Sequence, residues 1–155
     1  HMKKNCELPH ITDMKEYLQV IKDDHYTIFI AAKEEATAGL TDEIREGLMA
    51  LGLQKDLTGK YRWSYGAVIS PENGITEKLA EFDSVTLSGS IRKRKTFYTV
   101  TGSGYFTGAS GSINIDGIEY CRNRRGLNFV IYDNDLMKVV DQVAFDTCGS
   151  CNAAR

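Results

Sequence analysis

Residues 26–32 read YTIFIAA, a nearly unbroken apolar run of strand length, and predict a central strand buried on both faces. Ahead of it Met14, Tyr17, Leu18 and Ile21 recur at helical spacing behind Asp13 and Glu16, which are set like a capping box. A short amphipathic helix is therefore expected to end near Lys22, with Asp23-Asp24 as the turn. Behind the strand, residues 33–39 form a loop, and Thr41 caps a second helix. Asp42 and Glu43 in its first turn meet the positive end of the helix dipole. Ile44, Leu48 and Leu51 make its core stripe, and Gly52 stops it. This strand–loop–helix unit is the best-specified local structure in the chain.

The remainder reads as strands. A polar connection over 54–60 leads through Tyr61-Arg62-Trp63-Ser64-Tyr65 into a strand at 66–69, closed by a turn at 70–74. Beyond 77–82 come β-rich segments at 84–88, 96–101 and 112–115, separated by Gly89, Gly102, Gly104, Gly108 and Gly111, as tight turns require. Residues 118–147 organise the second half. A basic turn, Arg122-Asn123-Arg124-Arg125-Gly126, feeds an apolar strand at 127–132. Asp133-Asn134-Asp135 then returns the chain into an alternating strand at 138–145, which predicts a hairpin. Residues 1–11 carry little pattern. The expected fold is α+β: a β-rich domain with mainly antiparallel sheets and two or three flanking helices.

Composition narrows the class. At 155 residues, 42% hydrophobic and 26% charged, the chain suits one soluble globular domain over 1–155. The net charge of -2 gives no drive toward nucleic acid or an anionic membrane, and no apolar run is long enough to span a bilayer. His1-Met2 reads as a vector remnant, which leaves open a signal or neighbouring domain ahead of the sequence, and so leaves localisation open between cytoplasm and cell surface. Four cysteines are few for a disulfide scaffold. Cys148-Gly149-Ser150-Cys151 precedes no helix pattern, so a structural role is favoured over a redox motif. It is also favoured over a zinc site completed by Cys6 with His10 or Cys121.

Most candidate chemistry has a plainer reading. The basic run from Arg92 to Lys95 before Phe97-Tyr98 could meet phosphate, but a charged strand edge accounts for it. Gly102-Ser103-Gly104-Tyr105-Phe106-Thr107-Gly108 lacks the ending of a phosphate loop, and Asp133-Asn134-Asp135 is spaced for a turn rather than for calcium. No nucleophile or metalloprotease motif occurs among His1, His10, His25 and their surroundings, so neither catalysis nor a cofactor is expected. Three charges at the ends of strong strand signals remain: Glu34 after the first strand, Arg62 before the second and Arg125 before the hairpin. With Tyr61, Trp63 and Tyr65 beside them they suit carbohydrate, since arginine and carboxylate bind vicinal hydroxyls and an aromatic face packs on a sugar ring. Arg122 and Arg124 read as solvated charge.

Three blocks resemble a known family, the interleukin-like EMT inducer or GG domains. Arg125-Gly126-Leu127-Asn128-Phe129-Val130-Ile131, with Val139-Val140-Asp141 and Phe145-Asp146-Thr147, is similar to its Arg-Gly-Ile-Asn block. Thr27-Ile28-Phe29-Ile30-Ala31-Ala32-Lys33-Glu34-Glu35-Ala36 with Leu40-Thr41-Asp42-Glu43 resembles its strand–helix block, and Tyr61-Arg62-Trp63-Ser64-Tyr65-Gly66-Ala67-Val68 its third. In the animal proteins the Arg-Gly block comes first, so the order here resembles a circular permutation. The resemblance implies a non-catalytic carbohydrate-binding module like the stem domain of O-mannose N-acetylglucosaminyltransferase, with Arg125, Arg62 and Glu34 as binding residues and Trp63 and Lys33 beside them. It further implies a lectin-like accessory role in bacterial surface-polysaccharide or glycosyltransferase machinery, with a covalently linked neighbour as a possible partner. A secreted protein-binding or signalling factor is the alternative, and a glycan-processing enzyme the third reading.

Overall fold

In the computed structural model, which describes residues 2–155, the first predicted strand is the axis of the molecule. The reading of His1 lies outside the described residues. The axial strand, β1 (Tyr26–Glu34), pairs antiparallel along one side with β8 (Gly126–Asp133), from Tyr26 opposite Asp133 to Lys33 opposite Gly126. Along its other side it pairs antiparallel with β2 (Ser64–Ser70), Ile28 lying opposite Ile69. The hairpin partner β9 (Lys138–Phe145) and short β10 (Ala153–Ala154) extend the sheet beyond β8, and β3 (Gly74–Ala80) extends it beyond β2. A second antiparallel layer contains β4 (Val85–Ile91), β5 (Thr96–Gly104), β6 (Gly111–Ile115) and β7 (Ile118–Glu119). It joins the first where Lys33 and Glu34 run parallel to Ser103 and Gly104.

Two apolar cores explain why β1 and β8 read as unbroken runs. Ile28, Ile30, Leu127, Phe129 and Ile131 face α2 (Met14–Ile21) and α3 (Asp42–Ala50), burying Tyr17, Leu18, Ile44 and Leu48. The alternate residues Phe29, Ala31, Val130 and Tyr132 face the second layer, against Leu87, Val100 and Ile113. Successive side chains of a strand point to opposite faces, so a strand between two layers has no solvent face to be polar. Both helix caps form as the sequence predicts: the Asp13 carboxylate accepts from Glu16 N–H and the Thr41 hydroxyl from Ile44 N–H.

Several boundaries shift. β1 runs on through Lys33 and Glu34, predicted as loop, because both residues find backbone partners on β5. A third helix, α1 (Met2–Glu7), fills the patternless start; it buries no residue, so no apolar stripe could announce it. Gly89, Gly102 and Gly104 lie inside strands rather than turns. At Gly102 and Gly104 the need is close approach, since an added Cβ would stand 1.9 Å from the Tyr65 carbonyl oxygen and 2.1 Å from that of Arg62.

Buried tyrosines tie neighbouring elements together through acids and one amide. Tyr17 donates to Asp141 Oδ2 (2.6 Å) and Tyr65 to Glu77 Oε2 (2.6 Å), while Tyr26 donates to Asn5 Oδ1 (2.5 Å). Burial, reinforced by the neighbouring carboxylates, raises the Tyr17 and Tyr65 hydroxyls well above their ordinary range and pushes Tyr26 up to about 12. A hydroxyl that ionises more readily in the unfolded chain contributes stability that is complete below its unfolded pKa of about 10 and fades as pH rises through the folded value. Urea midpoints are therefore expected to hold steady from about pH 8 to 9.5 and to fall steeply above about pH 10. A midpoint flat to about pH 11.5 would contradict the assignment.

Candidate functional site

The charged positions singled out in the sequence gather around the carboxyl end of β1. Arg125 stands just before β8 on one side, and Arg62 just before β2 on the other, with Glu34 on the strand between. Adjacent strands are about 4.8 Å apart, so the two arginine backbones are on the order of 10 Å apart across β1. Gly104 lies opposite Glu34 and against the Arg62 carbonyl, which closes the third side.

Two of the three have left-handed backbones. Glu34 has φ 65° and Arg62 φ 66°, a conformation that costs a non-glycine residue roughly 1–3 kcal/mol and persists only where the surroundings impose it. At Arg62 the neighbour that imposes it is Glu35. Its carboxylate, 4% exposed, accepts from Thr37 N–H (2.9 Å), Ala38 N–H (2.6 Å) and the Thr37 hydroxyl (3.2 Å). It also accepts from Arg62 N–H at 2.8 Å, twenty-seven residues along the chain. One buried acid thus shapes the loop after β1 and fixes the backbone of the arginine before β2.

Arg62 projects into an aromatic cluster. Its guanidinium carbon lies 4.1 Å from the Tyr105 ring centroid, 4.8 Å from Tyr61 and 5.5 Å from Phe106. All three rings are exposed, and Tyr105 and Phe106 meet edge to face in the turn after β5. Among the described residues neither the Arg62 guanidinium nor the Glu34 carboxylate has a hydrogen-bond or ion-pair partner within the chain. An arginine held by ring faces keeps its in-plane N–H groups for a ligand.

Arg125 is differently placed. Asp146, just past β9, accepts from its Nε (3.0 Å) and Nη2 (2.7 Å) in a bidentate pair. That pair, with help from the N–H groups of Cys148 and Gly149, holds the Asp146 carboxyl below the usual carboxylate range. Asp146 raises the Arg125 guanidinium, and the Glu34 charge adds to it from a greater distance. Arg125 is therefore oriented by a structural acid with part of its donor edge open. Lys33 donates to the Asn123 carbonyl (2.9 Å) and braces the loop carrying Arg124 and Arg125. Trp63 is half-buried with the Lys60 ammonium 4.9 Å from its ring, beside Arg62 in sequence but outside the cluster around its guanidinium.

Sequence reasoning missed Glu35, Tyr105, Phe106 and the pairing role of Asp146. Glu35 was hidden as one of two consecutive acids, and the two aromatics lay in a segment weighed only as a phosphate loop. The cysteines remain unpaired: Cys151 donates weakly to the Gly39 carbonyl (3.4 Å), and no group of three potential metal ligands comes together among the described residues. Burial raises the thiols of Cys148 and Cys151, opposite to the lowering that a redox pair needs.

Comparison with known proteins adds one result. The model of a family described as interleukin-like EMT inducer matches residues 4–71. That span holds two of the three blocks recognised in the sequence, with Glu34, Glu35 and Arg62, whereas the block of Arg125 lies beyond it. No curated protein and no solved structure matches the chain.

Proposed function

We propose, from the premise that residues 4–71 match the interleukin-like EMT inducer family, that this chain is a non-catalytic carbohydrate-binding module. Its site is the end of β1, where Arg62, Glu34 and Arg125 bind hydroxyls or a carboxylate of a glycan, and the exposed rings of Tyr61, Tyr105 and Phe106 pack against a sugar face. The observation that carries this reading is the Arg62 guanidinium, stacked on three aromatic rings with its N–H groups unspent beside an unpartnered Glu34. A binding role is favoured over catalysis because the neighbouring acids are committed, Glu35 to backbone amides and Asp146 to Arg125. Neither of these two acids is then free to serve Glu34 as a second carboxylate. The permuted block order is part of the proposal, and the order of the three blocks along the sequence supports it. An accessory place beside polysaccharide-assembling or glycosyltransferase domains fits a shallow site of low affinity.

A protein partner is the second reading, favoured by the same exposed Tyr–Arg–Phe cluster, since tyrosine and arginine dominate interface hot spots. A glycan array followed by NMR titration of the best hit separates the two. Millimolar-range binding is expected, weakened roughly tenfold or more by Arg62→Ala and by Arg125→Ala. Binding unchanged in both variants would sink the site, and an empty array would favour the protein partner.

A further inference from the structure

At the opposite end of β1 from Glu34 lies a cavity of about 410 Å³, between the β2–β3 and β4–β5 turns. From its contents we infer that it is a second, separate binding site, for a small tetrahedral oxyanion: a phosphate or sulfate group. The volume falls within the range of about 300–1,000 Å³ typical of small-ligand sites. Its walls include Ser70, Glu72, Arg92, Lys93, Lys95 and Asn134.

The donors there outnumber the acceptors. Arg92 spends Nη1 on the buried Thr96 hydroxyl (3.1 Å), which fixes the guanidinium and leaves its other N–H groups. The ammonium groups of Lys93 and Lys95 have no partner among the described residues. Asn134 accepts from the Thr27 hydroxyl through Oδ1 (2.8 Å), leaving its amide N–H₂ as a donor. Against these three cations stand Asp24 and Glu72, and Glu72 already accepts from Lys93 N–H at 2.9 Å. A doubly charged oxyanion, rich in acceptor oxygens and poor in donors, is the ligand that such a set satisfies.

The backbone makes the same point independently. Arg92, Lys93 and Arg94 have φ of 55°, 52° and 68°, three successive left-handed residues. Turn chemistry would place glycine or asparagine there, yet the turn carries only long cations. It is held open by the β2–β3 turn, whose Glu72 grips Lys93 N–H while Asn73 donates to the Ser90 carbonyl (2.8 Å). Strain of this kind, retained with side chains ill-suited to it, marks a functional position better than a solvated edge.

The test is NMR titration of the whole chain with sodium phosphate and sodium sulfate at about pH 8, where both anions are largely dianionic, against sodium chloride at equal ionic strength. Saturable amide shifts confined to residues 24–27, 70–73, 92–96 and 134 are expected, persisting in Arg62→Ala. At least tenfold weakening is expected in Arg92→Gln and in Lys95→Gln. Lys95→Gln disturbs no side-chain hydrogen bond, so it keeps the test valid if Arg92→Gln loses its fold. Whichever anion binds more tightly identifies the group, and equal binding assigns the site to tetrahedral oxyanions generally. Shifts that do not saturate, that chloride reproduces, or that Lys95→Gln leaves unchanged overturn the inference.

Discussion

Replacing Glu35 by alanine lowers the free energy of unfolding by about 3–5 kcal/mol and abolishes ligand binding at the β1 end, although Glu35 itself is buried away from any ligand. The magnitude follows from the hydrogen-bond count. Three backbone N–H groups, on Thr37, Ala38 and Arg62, lose their acceptor together, and each buried donor left unpaired costs about 1–3 kcal/mol less what water recovers. The left-handed turn at Arg62 then loses the bond that holds it, so the guanidinium leaves its ring faces. Glu35→Gln separates geometry from charge. Its carbonyl can serve the donors at one oxygen position, but its N–H₂ faces donors at the other, so an intermediate loss near 2 kcal/mol is expected. Urea unfolding with the NMR shifts of Arg62 and Tyr105 reads both consequences. A Glu35→Ala protein within 1 kcal/mol of wild type, with those shifts unmoved, would remove Glu35 from the account of the site.

The contrast between Glu34 and Glu35 shows how far the sequence could be read. Strand, caps and helix stripes follow from local rules, and each of them recurs in the fold: the apolar run of β1, the Asp13 and Thr41 caps, the Ile44 and Leu48 face. The end of β1 was also legible as a place where charges collect, because Glu34, Arg62 and Arg125 each follow or precede a strong strand signal. Which of two adjacent acids faces solvent was not. That choice depends on a donor twenty-seven residues away and on a positive φ that no propensity favours. Likewise Tyr105 and Phe106 become a platform for Arg62 only because Gly104 lets β5 approach the Arg62 carbonyl closely. Long-range partners build the candidate site, and a single sequence exposes local pattern far better than pairing across the fold.

The largest single effect away from the site is expected at the last residue. Asp141 is buried in the middle of β9, and Arg155 meets it with Nε at 3.0 Å and Nη2 at 2.9 Å, while Nη1 donates to the Ile11 carbonyl (2.9 Å). Tyr17 donates to the same carboxylate, and its ring packs on Phe145 at 5.2 Å, so the acid stands at the junction of helix, sheet and chain end. Arg155→Met keeps the aliphatic length and removes the charge, which strands a carboxylate in an apolar surround. Breaking a buried pair in this way costs about 3–5 kcal/mol. Removing both charges, as Arg155→Met with Asp141→Asn, restores a large part of that loss, because the penalty belongs to the uncompensated anion more than to the missing bond. Equilibrium unfolding of the two single variants and the double closes the cycle. Additive losses in the double variant, or an Arg155→Met loss below 1 kcal/mol, would mean that water reaches Asp141 and that the latch between the chain end and residues 8–11 carries little of the stability.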